Sequence, residues 1–230
     1  MPGKSPTEIA IFEGERAQGY DDFVYQWIPP YQDLMTCVPV LLSRHLKGRS
    51  GPILVVGSGT GNEINAFHQR FPHWKMVGID PSPDMVAQSR EKLAHISHLR
   101  IEEGYVADLP TSPQFEAATL LLVLHFVPDD GAKLELLKDI RFRLTPGAPL
   151  IIADIFGSAA ELTENLALLQ ALLPPELDPE AVQDRLEKLP GRIQHIPEKR
   201  LQELLGEAGF EPGRRFLQSA IYGGWITYRT

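Results

Sequence analysis

The stretch Ile53-Leu-Val-Val-Gly-Ser-Gly-Thr-Gly61 decides how this chain folds. Four apolar residues suit a strand buried on both faces. Three alternate glycines, Gly57, Gly59 and Gly61, then break it before a helical stretch, Asn62–Arg70. Glycines at that spacing let the backbone turn sharply and let a ligand approach the chain closely. A second apolar run, Trp74–Ile79, ends in Asp80, 23 positions after Gly57. In nucleotide-binding βαβ units an acid at that place accepts the hydroxyls of a ribose. Together the two features predict a unit that holds a nucleoside.

Working outward, strands and helices alternate. The apolar runs predict strands over Ile53–Val56, Met76–Ile79, Leu99–Tyr105, Ala117–Val123 and Leu150–Ala153, with helices Asn62–Arg70, Pro83–His95 and Gly131–Leu144 between them. Ser82 is the expected N-cap before Pro83, and Thr145-Pro146-Gly147 the expected turn into the fifth strand. Upstream, residues 1–10 read as loose, 11–31 as an aromatic-rich segment, and Tyr31–Leu46 as an amphipathic helix in which Pro39 marks a kink or the true start. Downstream, 157–189 read as mostly helical. A helix Glu198–Ala208 follows, stopped by Gly209, and then two extended runs, Arg214–Gln218 and Ala220–Thr227. The expected fold is α/β: a Rossmann-like, doubly wound, mostly parallel sheet with a C-terminal antiparallel strand pair and helical additions. The expected division is a helical lid over 1–50, a nucleoside-binding core over 51–156, a helical insertion over 157–197 and a closing helix and strand pair over 198–230.

Dinucleotide enzymes use Gly-x-Gly-x-x-Gly, whose third glycine would fall at Asn62. The pattern Gly57-x-Gly59-x-Gly61 instead resembles motif I of the class I S-adenosylmethionine-dependent methyltransferases, with Asp80 at that family's ribose-binding acid. The likeness extends to a subgroup of small-molecule methyltransferases and carboxy-S-adenosylmethionine synthases through Ile28-Pro-Pro-Tyr31 and Gly223-Gly-Trp225. It implies S-adenosyl-L-methionine as cofactor, with Asp108 accepting from the adenine amino group. It further implies cofactor contacts from Tyr31, Gly57, Ser58, Gly59, Gly61, Pro81, Met85, Ala107 and Leu122. One departure stands out: the family's acid two residues before the first glycine is Val55 here. Weaker binding, a compensating polar group elsewhere or a modified cofactor would each accommodate it.

Methyl transfer from a sulfonium needs alignment first, and a base only when the acceptor must lose a proton. His125, just past the fourth strand, is the candidate catalytic residue; the competing reading is a histidine packed under the next helix. Tyr20, Tyr25, Trp27 and Tyr31 form an aromatic cluster that suits either a lid or a core layer. Arg185 is the candidate cation for a carboxylated cofactor.

The net charge of −8 and pI near 5.4 argue against a general nucleic-acid binder. A single cysteine, Cys37, excludes an intrachain disulfide framework, and the seven histidines show no metal-like spacing. No apolar run is long enough to span a bilayer, and the N-terminus lacks the apolar core of a signal peptide, so a cytoplasmic protein is expected. The expected activity is methyl transfer to a small-molecule acceptor, in a chain that can form a homodimer through its aromatic segment and helical insertion. A synthase-like enzyme of tRNA modification and a non-catalytic nucleoside-binding protein are the alternatives, with a nicotinamide dehydrogenase last.

Overall fold

The computed structural model describes Phe12, Gly14 and residues 19–48 and 51–230. The segment expected to be loose, 1–10, and most of 11–18 lie outside the described residues. Two helices come first, α1 (Tyr20–Trp27) and α2 (Tyr31–Leu46). Helix α2 runs without interruption through the buried Pro39. Five strands then alternate with helices: β1 (Ile53–Val56), α3 (Asn62–Arg70), β2 (Met76–Asp80), α4 (Pro83–Lys92), β3 (Leu99–Glu103), β4 (Ala117–Leu121), α5 (Ala132–Arg143) and β5 (Pro149–Ile155). Helices α6 (Ala159–Leu172), α7 (Pro179–Lys188) and α8 (Glu198–Ala208) follow, before β6 (Arg214–Ser219) and β7 (Tyr222–Tyr228).

The seven strands form one sheet in the order β3-β2-β1-β4-β5-β7-β6. β1 to β5 are parallel, and β7 runs antiparallel between β5 and β6. Chain order reverses at β1, which pairs with both β2 and β4, so the crevice opens at the carboxyl ends of β1 and β4. Side chains of β1 feed two cores. Ile53 and Val55 pack with Ile64 and Phe67 of α3, while Leu54 and Val56 pack with Leu137 of α5 and Leu204 of α8. Burial on both faces explains why β1 reads as unbroken apolar sequence.

Local chemistry sets the ends. The Ser82 hydroxyl accepts the Met85 N–H at 3.3 Å, capping α4, and Asp178 caps α7 through the Ala181 N–H at 3.0 Å. Several elements end differently from the sequence expectation, α4 at Lys92 and not His95 among them, and three of these ends have a visible cause. β3 stops at Glu103, not Tyr105, because Gly104 takes φ +143. β4 stops at Leu121, not Val123, because Leu122 turns the chain with φ +59. β5 continues past Ala153 to Ile155, where β7 pairs with it residue for residue, Asp154 opposite Gly223.

That pairing constrains β7. A Cβ at Gly223 would lie 2.2 Å from the Trp225 ring, whose indole N–H donates to Glu198 at 2.7 Å. Gly223→Ala should therefore destabilise the protein by about 1–3 kcal/mol through overpacking. A urea midpoint equal to wild type would show that the Trp225 ring shifts freely.

Candidate functional site

The glycine turn is hung from β2. The Gly57 and Ser58 N–H groups donate to the Ile79 carbonyl at 2.8 and 3.1 Å, and the Gly59 N–H donates to the Asp80 carboxylate at 2.8 Å. The other Asp80 oxygen accepts the Ser82 N–H at 2.9 Å. Burial pushes this carboxyl upward, and the two N–H bonds pull the other way. Each oxygen keeps a lone pair beyond these bonds.

The three glycines do different jobs. A Cβ at Gly57 would strike Val123 at 2.3 Å, and one at Gly61 would strike Leu93 and Ser89 at 2.5 and 2.6 Å, so both are bare for packing. Gly59 alone faces room, with the Tyr20 ring nearest at 3.8 Å. Helix α1 is latched over this turn by Asp21, which accepts from Thr60, Asn62 and Lys92.

Two cavities flank the turn. The smaller, about 30 Å³, is lined by Gly57, Ser58, Gly59, Tyr31 and Glu63 among others. The larger, about 720 Å³ and mostly apolar, is lined by Trp27, His125, Ile155, Arg185, Arg192 and Tyr222 among others. Tyr20 and Leu122 border both. Leu122 holds its positive φ with its N–H bonded to the Ala153 carbonyl at 2.7 Å. A left-handed leucine is a strained backbone position, and strain of this kind gathers at functional sites.

His125 sits on a single turn, Leu124–Phe126, and is 8% exposed. Its Nδ1 pairs with Asp154 Oδ1, and its own N–H reaches Oδ2 at 3.2 Å. Asp154 is fully buried and also accepts the Ile155 N–H at 2.7 Å. Beneath this couple, the Lys133 ammonium donates to the carbonyls of Leu124, Val127 and Gln194 at 2.6, 2.6 and 2.7 Å. Burial lowers Lys133 to about 8, opposed by Asp154 and Asp129. His125 is thus both packed and cavity-lining, and the two readings of it meet in one geometry.

The remaining expected residues are more scattered. Met85 is buried and Pro81 half-buried at the start of α4, away from both cavities. Ala107 and Asp108 are exposed on a short turn. The Asp108 carboxylate there accepts the Tyr105 N–H at 2.8 Å, and the Ala107 carbonyl accepts from Arg143. The aromatic cluster divides: Tyr20 and Trp27 line the large cavity, while Tyr25 is 51% exposed.

Sequence reasoning missed three charged groups. Asp154 had a signal, an acid closing an apolar strand. Lys133 and Glu63 had none, since each looks like a surface residue on an amphipathic helix. Glu63 is buried in the first turn of α3. Burial pushes its carboxyl from an ordinary 4.5 up to about 8, offset in part by the Thr119 hydroxyl. An acid whose folded value is raised contributes stability below its unfolded value and loses it as pH rises through the folded one. Ligand-free wild type should therefore lose stability between about pH 4.5 and about 8, and Glu63→Gln should lose less. Identical urea midpoint shifts between pH 5 and pH 8 in the two proteins would show that Glu63 titrates as it does unfolded.

Comparison with known proteins agrees with this architecture. A family model described as a methyltransferase domain matches residues 54–150. A carboxy-S-adenosyl-L-methionine synthase from Ectopseudomonas mendocina is 29% identical over 211 residues, covering 83% of each chain. A trans-aconitate 2-methyltransferase from Variovorax paradoxus is 30% identical over 164 residues, 70% of this chain and 57% of that one. The same enzyme from Rhodopseudomonas palustris is matched over 48% of its length, so the chain spans about half of these trans-aconitate enzymes. Among solved structures, magnesium protoporphyrin IX methyltransferase from Synechocystis, with bound SAH, superposes with a TM-score of 0.70 at 15% identity, over 96% of this chain and 98% of that one. This last likeness is one of fold. The domain match thus places a methyltransferase domain over residues 54–150, and with these relatives and this fold S-adenosylmethionine is its cofactor.

Proposed function

We propose that this protein methylates a small-molecule acceptor seated in the 720 Å³ cavity, with His125 as the base. The observation that carries the reading is the buried His125–Asp154 couple, which opens on the cavity that shares Tyr20 and Leu122 with the glycine turn. The chain fits the cofactor on its own terms. Gly59 leaves room where any side chain would intrude, and Ser58 and Glu63 keep buried oxygens without partners beside the turn.

In this reading Gly57–Gly61 cradles the cofactor, with Ser58, Tyr31 and Leu122 against its methionine end. Asp80 offers its spare lone pairs to the ribose, and Asp108 accepts from the adenine amino group. When bound, the sulfonium supplies a methyl group and departs as a neutral thioether. With Nδ1–H held by Asp154, the free Nε2 of His125 takes the acceptor's proton. Lys133 fixes the His125 turn by binding three of its carbonyls. The apolar lining excludes water.

Arg185 supports an acceptor with an anionic group. Its guanidinium stacks 4.2 Å from the Phe23 ring centre and 4.9 Å from that of Trp27, with no carboxylate partner among the described residues. Burial lowers its pKa. The same residue supports a second reading, a carboxylate carried on the cofactor itself, as the name of the Ectopseudomonas relative suggests. Mass spectrometry of the co-purifying ligand separates the two: a carboxylated cofactor would favour the second.

A screen of small carboxylic and hydroxy acids, read by S-adenosylhomocysteine release, should identify the acceptor. On it, His125→Asn and Asp154→Asn should each slow turnover by about 10²-fold or more while leaving cofactor affinity near wild type. Full turnover in a folded His125→Asn protein would remove the base from the mechanism. Asp80→Ala should weaken cofactor binding by about 2–3 kcal/mol, since it removes a charged acceptor and the support of the Gly59 amide. An unchanged dissociation constant would mean the carboxylate serves only the turn.

A further inference from the structure

We propose that Glu63 replaces the missing strand acid at position 55 and holds the α-ammonium group of the cofactor's methionine moiety. The assignment rests on the methyltransferase reading above and concerns this chain's own residues. Val55 is fully buried in β1, in register with Gly78 of β2 and Thr119 of β4. Helix α3 covers this row: a Cβ at Gly78 would lie 2.8 Å from Ile64 and 2.9 Å from the Ser58 hydroxyl. The position that bears an acid in the family thus lies beneath the helix that bears Glu63. One element has lost the carboxylate, and its neighbour brings one to the same corner.

Glu63 is only 7% exposed, yet its Oε1 makes no hydrogen bond, and Ser58 Oγ is buried without a partner as well. Buried polar atoms are normally paired, so two orphans lining one small cavity point to a polar ligand group between them. Among the described residues no Lys, Arg or His pairs with Glu63. A primary ammonium brings three N–H donors, and the Glu63 carboxylate with the Ser58 hydroxyl offers three acceptor oxygens. The adjoining cavity of about 30 Å³ has room for a group of that size. Burial, which raises the carboxyl to about 8, keeps the proton on Glu63 at neutral pH until a cation arrives to favour the ionised form. The nearby hydroxyls of Tyr20 and Tyr31 are held protonated, chiefly by burial, and border the same corner as neutral groups.

Calorimetric titration tests this with S-adenosylhomocysteine and with its analogue lacking the α-amino group, at pH 7 in two buffers of different ionisation enthalpy. Wild type should release about one proton on binding S-adenosylhomocysteine. Glu63→Gln, which keeps the shape of the side chain, should release none. It should bind S-adenosylhomocysteine about 10- to 100-fold more weakly while its affinity for the analogue stays within about two-fold of wild type. Equal losses for both ligands, an unchanged affinity for S-adenosylhomocysteine, or a wild type that releases no proton would overturn the assignment. The proton count needs no variant, so a poorly folding Glu63→Gln leaves it decisive. A wild type that binds neither S-adenosylhomocysteine nor S-adenosylmethionine would overturn the methyltransferase reading itself, and the assignment with it.

Discussion

The bond from the Gly59 amide to Asp80 is the constraint on which the rest of this site depends. Parallel strands β1 and β2 end side by side, and the ladder between them stops at Val56 and Ile79. The Asp80 carboxylate meets that need, holding the glycine turn with one oxygen and the start of α4 with the other. Three consequences follow. The turn is fixed before any ligand arrives, α3 starts where its first residues border the crevice, and Thr60 and Asn62 are positioned for Asp21 of α1. The shape of the glycine turn and the attachment of α1 therefore both depend on one carboxylate.

A second organising centre lies across the reversal of strand order. Leu122 ends β4 in a strained conformation, which turns the following residues out of the sheet and sets His125 beside the last residues of β5. Asp154 then serves as acceptor for the backbone and side chain of His125 and for Ile155. Lys133 balances it: a buried cation near a buried anion, each also hydrogen-bonded to the chain. Removing one member of such a set leaves the others uncompensated, which favours a rigid couple.

Much of the architecture was legible because it follows from local rules. Continuous apolar runs marked the parallel strands, and Ser82-Pro83 and Gly209 marked helix ends. The bounds of α2, α3, α8 and β1 agree with the sequence reading because their ends are set by the residues themselves. Legibility failed where tertiary contacts decide. The left-handed turn at Leu122 is a leucine with no propensity for it, and the continuation of β5 depends on β7, which lies some seventy residues away. The glycine spacing was visible, but not that Gly57 and Gly61 are bare for Val123, Leu93 and Ser89 rather than for a ligand. Site residues followed the same division. Asp80 and His125 were readable from their place after strands, whereas Glu63 and Lys133 were not. Burial of a charged helix residue depends on what packs over it, and periodicity does not record that.

The charges around the crevice give it a direction. Asp80 holds the glycine turn and Glu63 borders the small cavity beside it, Arg185 and Arg192 line the large cavity, and Tyr20 and Leu122 border both. Within low-dielectric walls such a separation is felt strongly, because few water dipoles screen it. In the proposed reading a cationic group is favoured at the turn and an anionic one beyond it, which would order two ligands of opposite charge head to tail. The aromatic surfaces of Tyr20, Phe23 and Trp27 sit along that line and suit cations on their faces, as the stacking of Arg185 on two of them illustrates. Alignment of donor and acceptor is the main demand of an in-line transfer, and this polarity supplies it from fixed residues before any proton moves.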